Sequence, residues 1–405
     1  MNTCDYESAF PETIPARGIE GFRVARYEFV IEALETLSLP DYKGSTLRGG
    51  FGAAFRNVSC SARKSDCRTC VLKPACPYAY VFETAPPEGS EVLKKFEHVP
   101  HPFVLEPPQT RKREFAPGEE IPFGLVLIGR GIEFLPYFIV AFQEFGRTGI
   151  GRGRGRFRLA RIYSTIGRSL NSLASPPLAA AVDDRDESGS LSSTTIERRL
   201  DAAHGPLIFD GQENKVYTRD TVISWDDIQE TATALLTHIS GDTGRQLAHG
   251  DPTISNSGPH VMAPRVMVVF QTMTRLKFQG GFEDRPEFHI LVRSLLRRIS
   301  SLLYFHHETR LDIDFRGFIS RAEGVHLVAH DTHWVDWERY SSRQDARMKL
   351  GGIVGTAVYE FKDMGSVVLF LPWLVLGQYV HAGKGATFGL GQLAVMSHSP
   401  QAANG

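Results

Sequence analysis

One segment of the chain returns in the second half with the same internal spacing. Residues 134–137, Phe-Leu-Pro-Tyr, come back at 370–373 as Phe-Leu-Pro-Trp, and an apolar, helix-like stretch follows each copy. Both copies then reach three glycines at matching positions, which are Gly149, Gly153 and Gly155 in the first and Gly385, Gly389 and Gly391 in the second. Such a repeat indicates two copies of one supersecondary unit. Each copy must place a glycine-rich loop between a buried helix and a strand.

The two halves also share an order of predicted elements. Alternating apolar residues over 22–34 indicate a strand, and apolar positions on one face of 287–305 indicate an amphipathic helix. Around these elements both halves follow the order βαββαβ, which is the ferredoxin-like or RRM-like plan. The sequence therefore predicts an α+β fold of tandem ferredoxin-like domains. Helices should cover one face of each antiparallel sheet and leave the other face free to bind.

The predicted domain boundaries follow from the repeat and from local composition. We expect an N-terminal domain over residues 1–166, with a four-cysteine insertion at 60–76, and a C-terminal domain over 201–398. Residues 167–200 between them are rich in Ser, Ala, Pro and Asp and have no sustained apolar period. This composition predicts a flexible insertion or linker.

Charge and hydropathy exclude some classes of protein. The 405 residues carry a formal net charge of −1, so any site for a polyanion must come from local clustering of cations. The first 30 residues contain no apolar core of a signal peptide. The longest apolar run, 367–376, contains Pro372 and is too short to span a bilayer. We therefore expect a cytoplasmic protein without a membrane partner.

Four of the five cysteines are closely spaced, as C-x6-C-x2-C-x5-C. They are Cys60, Cys67, Cys70 and Cys76. In a cytosolic protein such a cluster is more typical of a metal site than of disulfides, and thiolates suit tetrahedral zinc. One alternative is an iron–sulfur cluster, because Pro77 follows the last cysteine as in bacterial ferredoxins. The other alternative is that the four thiols are free and buried. Four cysteine ligands leave no open position, so the expected metal is structural and not catalytic.

The two glycine-rich loops do not match the motifs that bind nucleotides, but their backbone amides can cradle a phosphate. In the first loop, arginines alternate with glycine or apolar residues at Arg152, Arg154, Arg156 and Arg158, and Arg147 precedes them. If this segment is extended, the guanidinium groups lie on one side, where they suit a phosphate backbone. A solvated, charged edge strand is the other interpretation.

Three segments together resemble a known family. Residues 378–392, which include His381 and Lys384, resemble the C-terminal glycine-rich signature of the CRISPR precursor-RNA-processing endoribonucleases of the RAMP superfamily. Residues 337–355, which include Arg343, are similar to the same domain, and residues 42–52 are similar to the RAMP turn that opens the first helix. The resemblance covers both halves and leaves out 167–200. The motif at 42–52 also occurs in RAMP subunits that do not cleave RNA.

The resemblance implies binding and cleavage of CRISPR repeat RNA without a catalytic metal. The 2′-hydroxyl attacks the adjacent phosphate and leaves a 2′,3′-cyclic phosphate and a 5′-hydroxyl, which requires a proton acceptor, a proton donor and nearby cations. A histidine in or near the first helix often serves in the family, but residues 41–57 contain none. The catalytic candidates are therefore His381, Tyr42 and Lys43, with a structural role at the helix end as the alternative for His381. The RNA-binding candidates are Arg48, Arg147, Arg152, Arg154, Arg156, Arg343, Lys384, Gly385, Gly389 and Gly391.

The sequence thus predicts a repeat-specific endoribonuclease whose partners are CRISPR RNA and other CRISPR effector subunits. A subunit that binds the processed RNA without cleaving it is the alternative, and it is favoured by the missing histidine in the first helix. An iron–sulfur redox protein is a third interpretation, which depends on the cysteines alone.

Overall fold

The computed structural model describes most of the chain, namely residues 16–62, 66–84, 99–165, 205–219, 221–247, 263–341 and 346–398. The predicted linker, 167–200, and the RNA-binding candidate Arg343 lie outside these residues. No helix within the described ranges is both long enough and apolar enough to cross a membrane.

The first half builds a main sheet with two helices on it. Its strands are β1 (Arg23–Ala33), β2 (Leu37–Ser38), β3 (Phe103–Glu106), β4 (Glu114–Phe115), β5 (Glu120–Ile128) and β6 (Phe157–Ser164), and its helices are α1 (Gly44–Ser59), α2 (Pro77–Phe82) and α3 (Leu135–Thr148). The order in the main sheet is β3-β5-β1-β6, with β1 antiparallel to β5 and β6. Strands β2 and β4 form a separate two-stranded sheet. Buried phenylalanines join the helices to the sheet: Phe142 of α3 stacks on Phe51 of α1 at 4.6 Å and lies 5.2 Å from Phe29 of β1.

The chain then returns to the first sheet before it starts the second. Strands β7 (Leu207–Asp210) and β8 (Lys215–Val216) extend the sheet beyond β6, and β9 (Ile223–Ser224) pairs with β1. The predicted C-terminal domain, 201–398, therefore begins too early, because Ile208 and Phe209 are buried in the first core. Helix α4 (Trp225–Leu247) follows, and Trp225 packs on Trp373 at 5.6 Å.

The second half repeats the plan of the first. Its strands are β10 (Arg265–Thr274), β11 (Leu276–Phe278), β12 (Gly281–Glu283), β13 (His326–Val335), β14 (Glu338–Ser341), β15 (Ala346–Lys349), β16 (Gly352–Glu360) and β17 (Leu393–Ser397), and its helices are α5 (Phe288–His306), α6 (Phe315–Glu323) and α7 (Met364–Val380). The sheet order is β13-β16-β10-β17, which corresponds strand for strand to β3-β5-β1-β6. The predicted α+β class with antiparallel sheets is confirmed, and the strand order is the same in both halves.

A buried histidine connects α2 to the second half. Tyr80 donates a hydrogen bond to Nδ1 of His306 at 3.0 Å, and Nε2 of His306 donates to the carbonyl of Pro100 at 2.7 Å. Both contacts are satisfied by the neutral ring with its proton on Nε2. Burial lowers the pKa of His306 to about 4, so the ring is neutral at physiological pH.

Candidate functional site

A cleft of about 1130 Å³ lies between the two halves. The first half contributes the turn that leads into α1, the loop at 108–113 and the first glycine loop at 151–152. The second half contributes residues 271–273 of β10, the end of β13 and Val354 of β16. A concave site with several convergent polar groups is the default position for ligand binding.

Tyr42 forms one wall of this cleft and contacts the second half directly. Its hydroxyl donates to the carbonyl of Phe388 at 2.7 Å, and its ring meets Trp337 edge-on at 4.6 Å. Gly44 allows this approach, since a Cβ there would lie 2.0 Å from the carbonyl oxygen of Phe388. Burial raises the pKa of Tyr42 far above its ordinary value, so the phenol stays neutral and holds its proton at this junction.

Lys43, the second catalytic candidate, is buried and binds backbone carbonyls. Its ammonium group donates to Asp41 at 3.1 Å and to Thr110 at 2.8 Å, which ties the loop at 108–113 to the start of α1. Burial lowers the pKa of Lys43, although the charge of Asp41 acts against this. As placed, the amine supports the wall of the cleft, and its catalytic assignment stays a prediction.

His381, the third catalytic candidate, is fully buried at the end of α7. Its Nδ1 faces the carbonyl of Leu390 at 3.0 Å, and its Nε2 faces the carboxylate of Glu106 at 3.2 Å. Glu106 is also buried and pairs with Arg26 at 2.8 Å. Burial alone would raise the pKa of Glu106, but Arg26 and His381 hold it below its usual range. This geometry favours the structural alternative for His381, whose role in catalysis stays a prediction.

The predicted arginine stripe does not have the expected extended geometry. Residues 149–155 form a tight turn closed by a bridge between Ile150 and Gly155, and β6 starts only at Phe157. The turn requires positive φ at alternate glycines and at Arg154, whose φ is 52°. The alternation of arginines over 152–155 therefore does not place them on one side of a strand.

Most arginines of the stripe also have carboxylate partners. Arg156 pairs with Glu35 at 2.7 Å, Arg158 with Glu32 at 2.6 Å, and Arg147 with Glu144 at 3.6 Å. Arg152 and Arg154 are exposed and form no ion pair with any residue that the structure describes. Among the arginines of the stripe, Arg152 lines the cleft, and its backbone N–H donates to the carbonyl of Ser38 at 2.9 Å.

The loop at 108–113 supplies a cation that the sequence analysis did not single out. Arg111 is exposed and lines the cleft, while its neighbours Lys112 and Arg113 pair with Glu119 and Asp41. The sequence signal for this cation was the basic run Arg-Lys-Arg at 111–113, which follows two prolines.

Lys384 belongs to a second basic surface outside the cleft lining, which we call the hairpin patch. It comprises Arg275, Lys277, Arg297, Lys384 and the exposed aromatic residue Phe282. The guanidinium of Arg275 lies 4.3 Å from the centre of the Phe282 ring, and the Lys384 amine lies 6.0 Å from it. Burial lowers the pKa of Lys384, and the three neighbouring cations lower it further. The basic-aromatic sequence at 275–282 was the available signal.

The remaining RNA-binding candidates have mainly packing roles. Arg48 lies over the rings of Phe82 and Phe388, at 4.8 and 5.6 Å. Gly391 leaves room for the carbonyl of Ala382, which a Cβ would approach to 1.8 Å. The second glycine loop, with Gly385 and Gly389, packs beside β3 and the start of α1.

The four cysteines lie between α1 and α2 and are partly exposed. Burial raises the pKa of the Cys67 thiol, and the nearby Cys60 and Cys76 add to this effect. Arg56 donates a hydrogen bond to Cys60. Among the residues described, however, no three potential ligands are arranged to hold a metal ion. Zinc at these thiols stays a prediction.

The antiparallel sheets and the helices packed on them define an α+β protein, and the exposed Arg111 and Arg152 line the cleft between its two halves. Residues 268–393 match the family model of the CRISPR-associated endoribonuclease Cas6, and residues 22–177 match a model described as an N-terminal domain. The match over residues 268–393 supports the family that the glycine-rich motif predicted.

Solved structures to which this chain is similar include Cas6 proteins. A Cas6 product complex is 13% identical, with a TM-score of 0.46 over 92% of this chain and 100% of that one. Thermus thermophilus Cas6 is 11% identical, with a TM-score of 0.45 over 93% and 99%. A partial Cas6-RT-Cas1–Cas2 complex is 10% identical, with a TM-score of 0.47 over 94% and 47%. No curated protein sequence was found to match the chain.

Proposed function

We propose that this protein is a CRISPR repeat-specific endoribonuclease that cuts precursor CRISPR RNA without a catalytic metal. The family match over 268–393 supports RNA processing. The observation that carries the proposal is the cleft, in which exposed Arg111 and Arg152 flank the neutral phenol of Tyr42 at the junction of the two halves.

The cleft residues have distinct roles in this proposal. Arg111 and Arg152 bind the scissile phosphate and stabilise the charge that develops on its oxygens. Tyr42 and Trp337 form an aromatic wall on which an unpaired base can stack, which is how single-stranded RNA is commonly held. The 2′-hydroxyl then attacks the phosphate, and the products are a 2′,3′-cyclic phosphate and a 5′-hydroxyl.

The hairpin patch extends the RNA-binding surface from the cleft. Lys384, Arg275 and Lys277 repel one another, and a phosphate between them would relieve this repulsion. The proposal also includes tandem ferredoxin-like domains, CRISPR repeat RNA as the substrate and other CRISPR subunits as partners. A structural zinc ion on the four cysteines belongs to it as well.

The test is cleavage of the repeat RNA from the protein's own CRISPR array in excess EDTA, followed by mapping of the product ends. One cut with a 2′,3′-cyclic phosphate end supports the proposal. Dependence on added Mg²⁺, or a 3′-hydroxyl end, contradicts it. A catalytically inert protein that still binds the same RNA tightly also contradicts it.

That last outcome would favour the second candidate, a non-catalytic subunit that holds processed CRISPR RNA. Two observations support this candidate: residues 41–57 contain no histidine, and His381 is buried between Glu106 and Leu390. Both observations concern the group that would transfer protons. Neither of them argues against the residues proposed to bind RNA.

A further inference from the structure

The proposed reaction needs a group that exchanges protons near neutral pH, for which imidazole is suited. Several histidines that the structure describes are engaged elsewhere. His306 and His381 are buried with both ring nitrogens in contact with partners, and His307 bonds the backbone of Arg23 and Leu302. His326 begins β13 opposite Glu360, at the end of the sheet away from the cleft. None of these four rings lines the cleft. Strand β13, which reaches the cleft at Val335, carries two more histidines, His330 and His333.

The register of β13 directs His333 toward the cleft. His333 lies directly opposite Val354 of β16, and residues opposite each other in an antiparallel pair place their side chains on the same face. Val335, two residues further along β13, shares this face because side chains alternate along a strand. Val354 and Val335 both line the cleft. His333 itself does not line the cleft, but it lies on the same face of the sheet as these two lining residues and next to them.

The other face of β13 gives the opposite result for the neighbouring histidine. His330 and Trp334 lie opposite Ala357 and Ile353, both of which are buried in the core on the helix side of the sheet. His330 also bonds the hydroxyl of Thr332 at 2.9 Å. His333 is exposed and forms no hydrogen bond or ion pair with the residues that the structure describes. His330 is therefore a matched control on the same strand.

We propose that His333 is the general base of the cleavage reaction, an inference that rests on the proposed function. The ring takes the proton of the 2′-hydroxyl as the bond from the 2′ oxygen to phosphorus forms. The bond from phosphorus to the 5′ oxygen breaks, and the 5′ oxygen takes a proton from water. His333 then releases its proton to the solvent, so that the products are the 2′,3′-cyclic phosphate and the 5′-hydroxyl.

Charged groups around the cleft act on this base from both sides. Asp331 lies on the same face of β13, and Asp336 follows the strand at the cleft. Val354 and Thr356, opposite His333 and Asp331 on β16, carry no charge. From the first half the cleft receives Arg111, Arg152 and the Arg113–Asp41 pair.

The test measures single-turnover cleavage of the repeat RNA by the full chain and by His333→Ala and His330→Ala. We expect His333→Ala to lower the rate about 10²- to 10⁴-fold, the usual contribution of a positioned acid or base. RNA affinity should change less than about threefold, since the phosphate contacts remain. His330→Ala should retain the rate of the unmodified protein, and added imidazole should partly restore His333→Ala.

Two readouts separate a base from a structural residue. The rate of the unmodified protein should rise with pH and then level off, as expected for a reaction that needs an unprotonated base, and His333→Ala should lose this rise. A substrate with sulfur in place of the 5′ bridging oxygen needs no proton on its leaving group. The defect of His333→Ala should persist on this substrate, and its disappearance would overturn the assignment as base.

Failure of this inference is distinguishable from failure of the proposed function. If the unmodified protein does not cut the RNA at all, the proposed function is wrong. If it cuts and His333→Ala cuts equally fast with the same pH profile, the proposed function stands and His333 is not the base.

Discussion

The ring of His381 faces the carboxylate of Glu106 at 3.2 Å, and the two residues belong to different halves of the protein. Arg26 completes the buried group from β1. Because His381 ends α7 directly before the second glycine loop, this contact holds that loop against β3 of the first sheet. It is one of several buried contacts between the two halves, since residues from both of them share one hydrophobic core.

We predict that Glu106→Gln lowers the free energy of unfolding by about 3–5 kcal/mol, since removal of one partner leaves buried charges uncompensated. Urea denaturation at pH 7 measures this change. Glu114→Gln, at an exposed position in β4, is the control and should change stability by less than about 0.5 kcal/mol. Equal stability of the two variants would contradict a buried ionic group at this junction.

Stability should fall as the pH is lowered from about 6.5 toward 4, because an unfolded histidine titrates near 6.5 and the pKa of His306 is lowered by burial to about 4. In this window the unfolded chain binds the proton and the folded ring does not. The loss should reach about 2–3 kcal/mol. His307, whose pKa burial also lowers, acts in the same direction.

Urea denaturation between pH 7 and pH 5 tests this prediction, with His306→Gln as the comparison. The variant should be less stable at pH 7 because the contacts with Tyr80 and Pro100 change, but its stability should depend less on pH. An identical pH dependence in the two proteins would show that His306 is not the neutral buried group.

Removal of a cleft arginine should weaken RNA binding in a salt-dependent way. We expect Arg111→Ala to lower the affinity about tenfold at moderate salt and to reduce the salt slope by about 0.7, the value for one phosphate on a single strand. Arg154→Ala removes an exposed arginine of the first glycine loop that does not line the cleft. Binding titrations at several salt concentrations should give this control an RNA affinity close to that of the unmodified protein. Equal losses of affinity in both variants would contradict the cleft as the binding site.

Zinc should be present in protein purified under reducing conditions, at about one ion per chain, as four thiolates require. Elemental analysis measures the content, and Cys70→Ser should lower both the zinc content and the thermal stability. Cys4→Ser, which changes the cysteine outside the cluster, should retain both. A brown protein with iron would favour the iron–sulfur alternative, and a metal-free protein of full stability would contradict both metals.

Much of the fold could be predicted from the sequence, because its signals are local. The two copies of the repeat correspond to α3 and α7 with their glycine loops. The alternation over 22–34 corresponds to β1, and the amphipathic pattern over 287–305 corresponds to α5. The return of β7 and β8 to the first sheet could not be predicted in this way. Strands of four and two residues are too short to show a period, and their partner depends on the buried side chains of Ile208 and Phe209.

The site was harder to predict because it depends on contacts between distant residues. The residues next to His381 in the sequence do not indicate its buried contact with Glu106, because the two residues lie far apart along the chain. The position of His333 depends on the pairing of β13 with β16, which periodicity does not specify. The turn at 149–155 did have a local signal, because closely spaced glycines favour left-handed backbone over an extended strand.

The most direct test of the proposed mechanism is cleavage of repeat RNA in which a single 2′-deoxynucleotide stands immediately 5′ to the mapped cut. The account predicts that cutting at this position stops in EDTA, while the RNA still binds with unchanged affinity. Cutting of the deoxy substrate at the same position and rate would contradict attack by the 2′-hydroxyl, and with it the central claim about this protein.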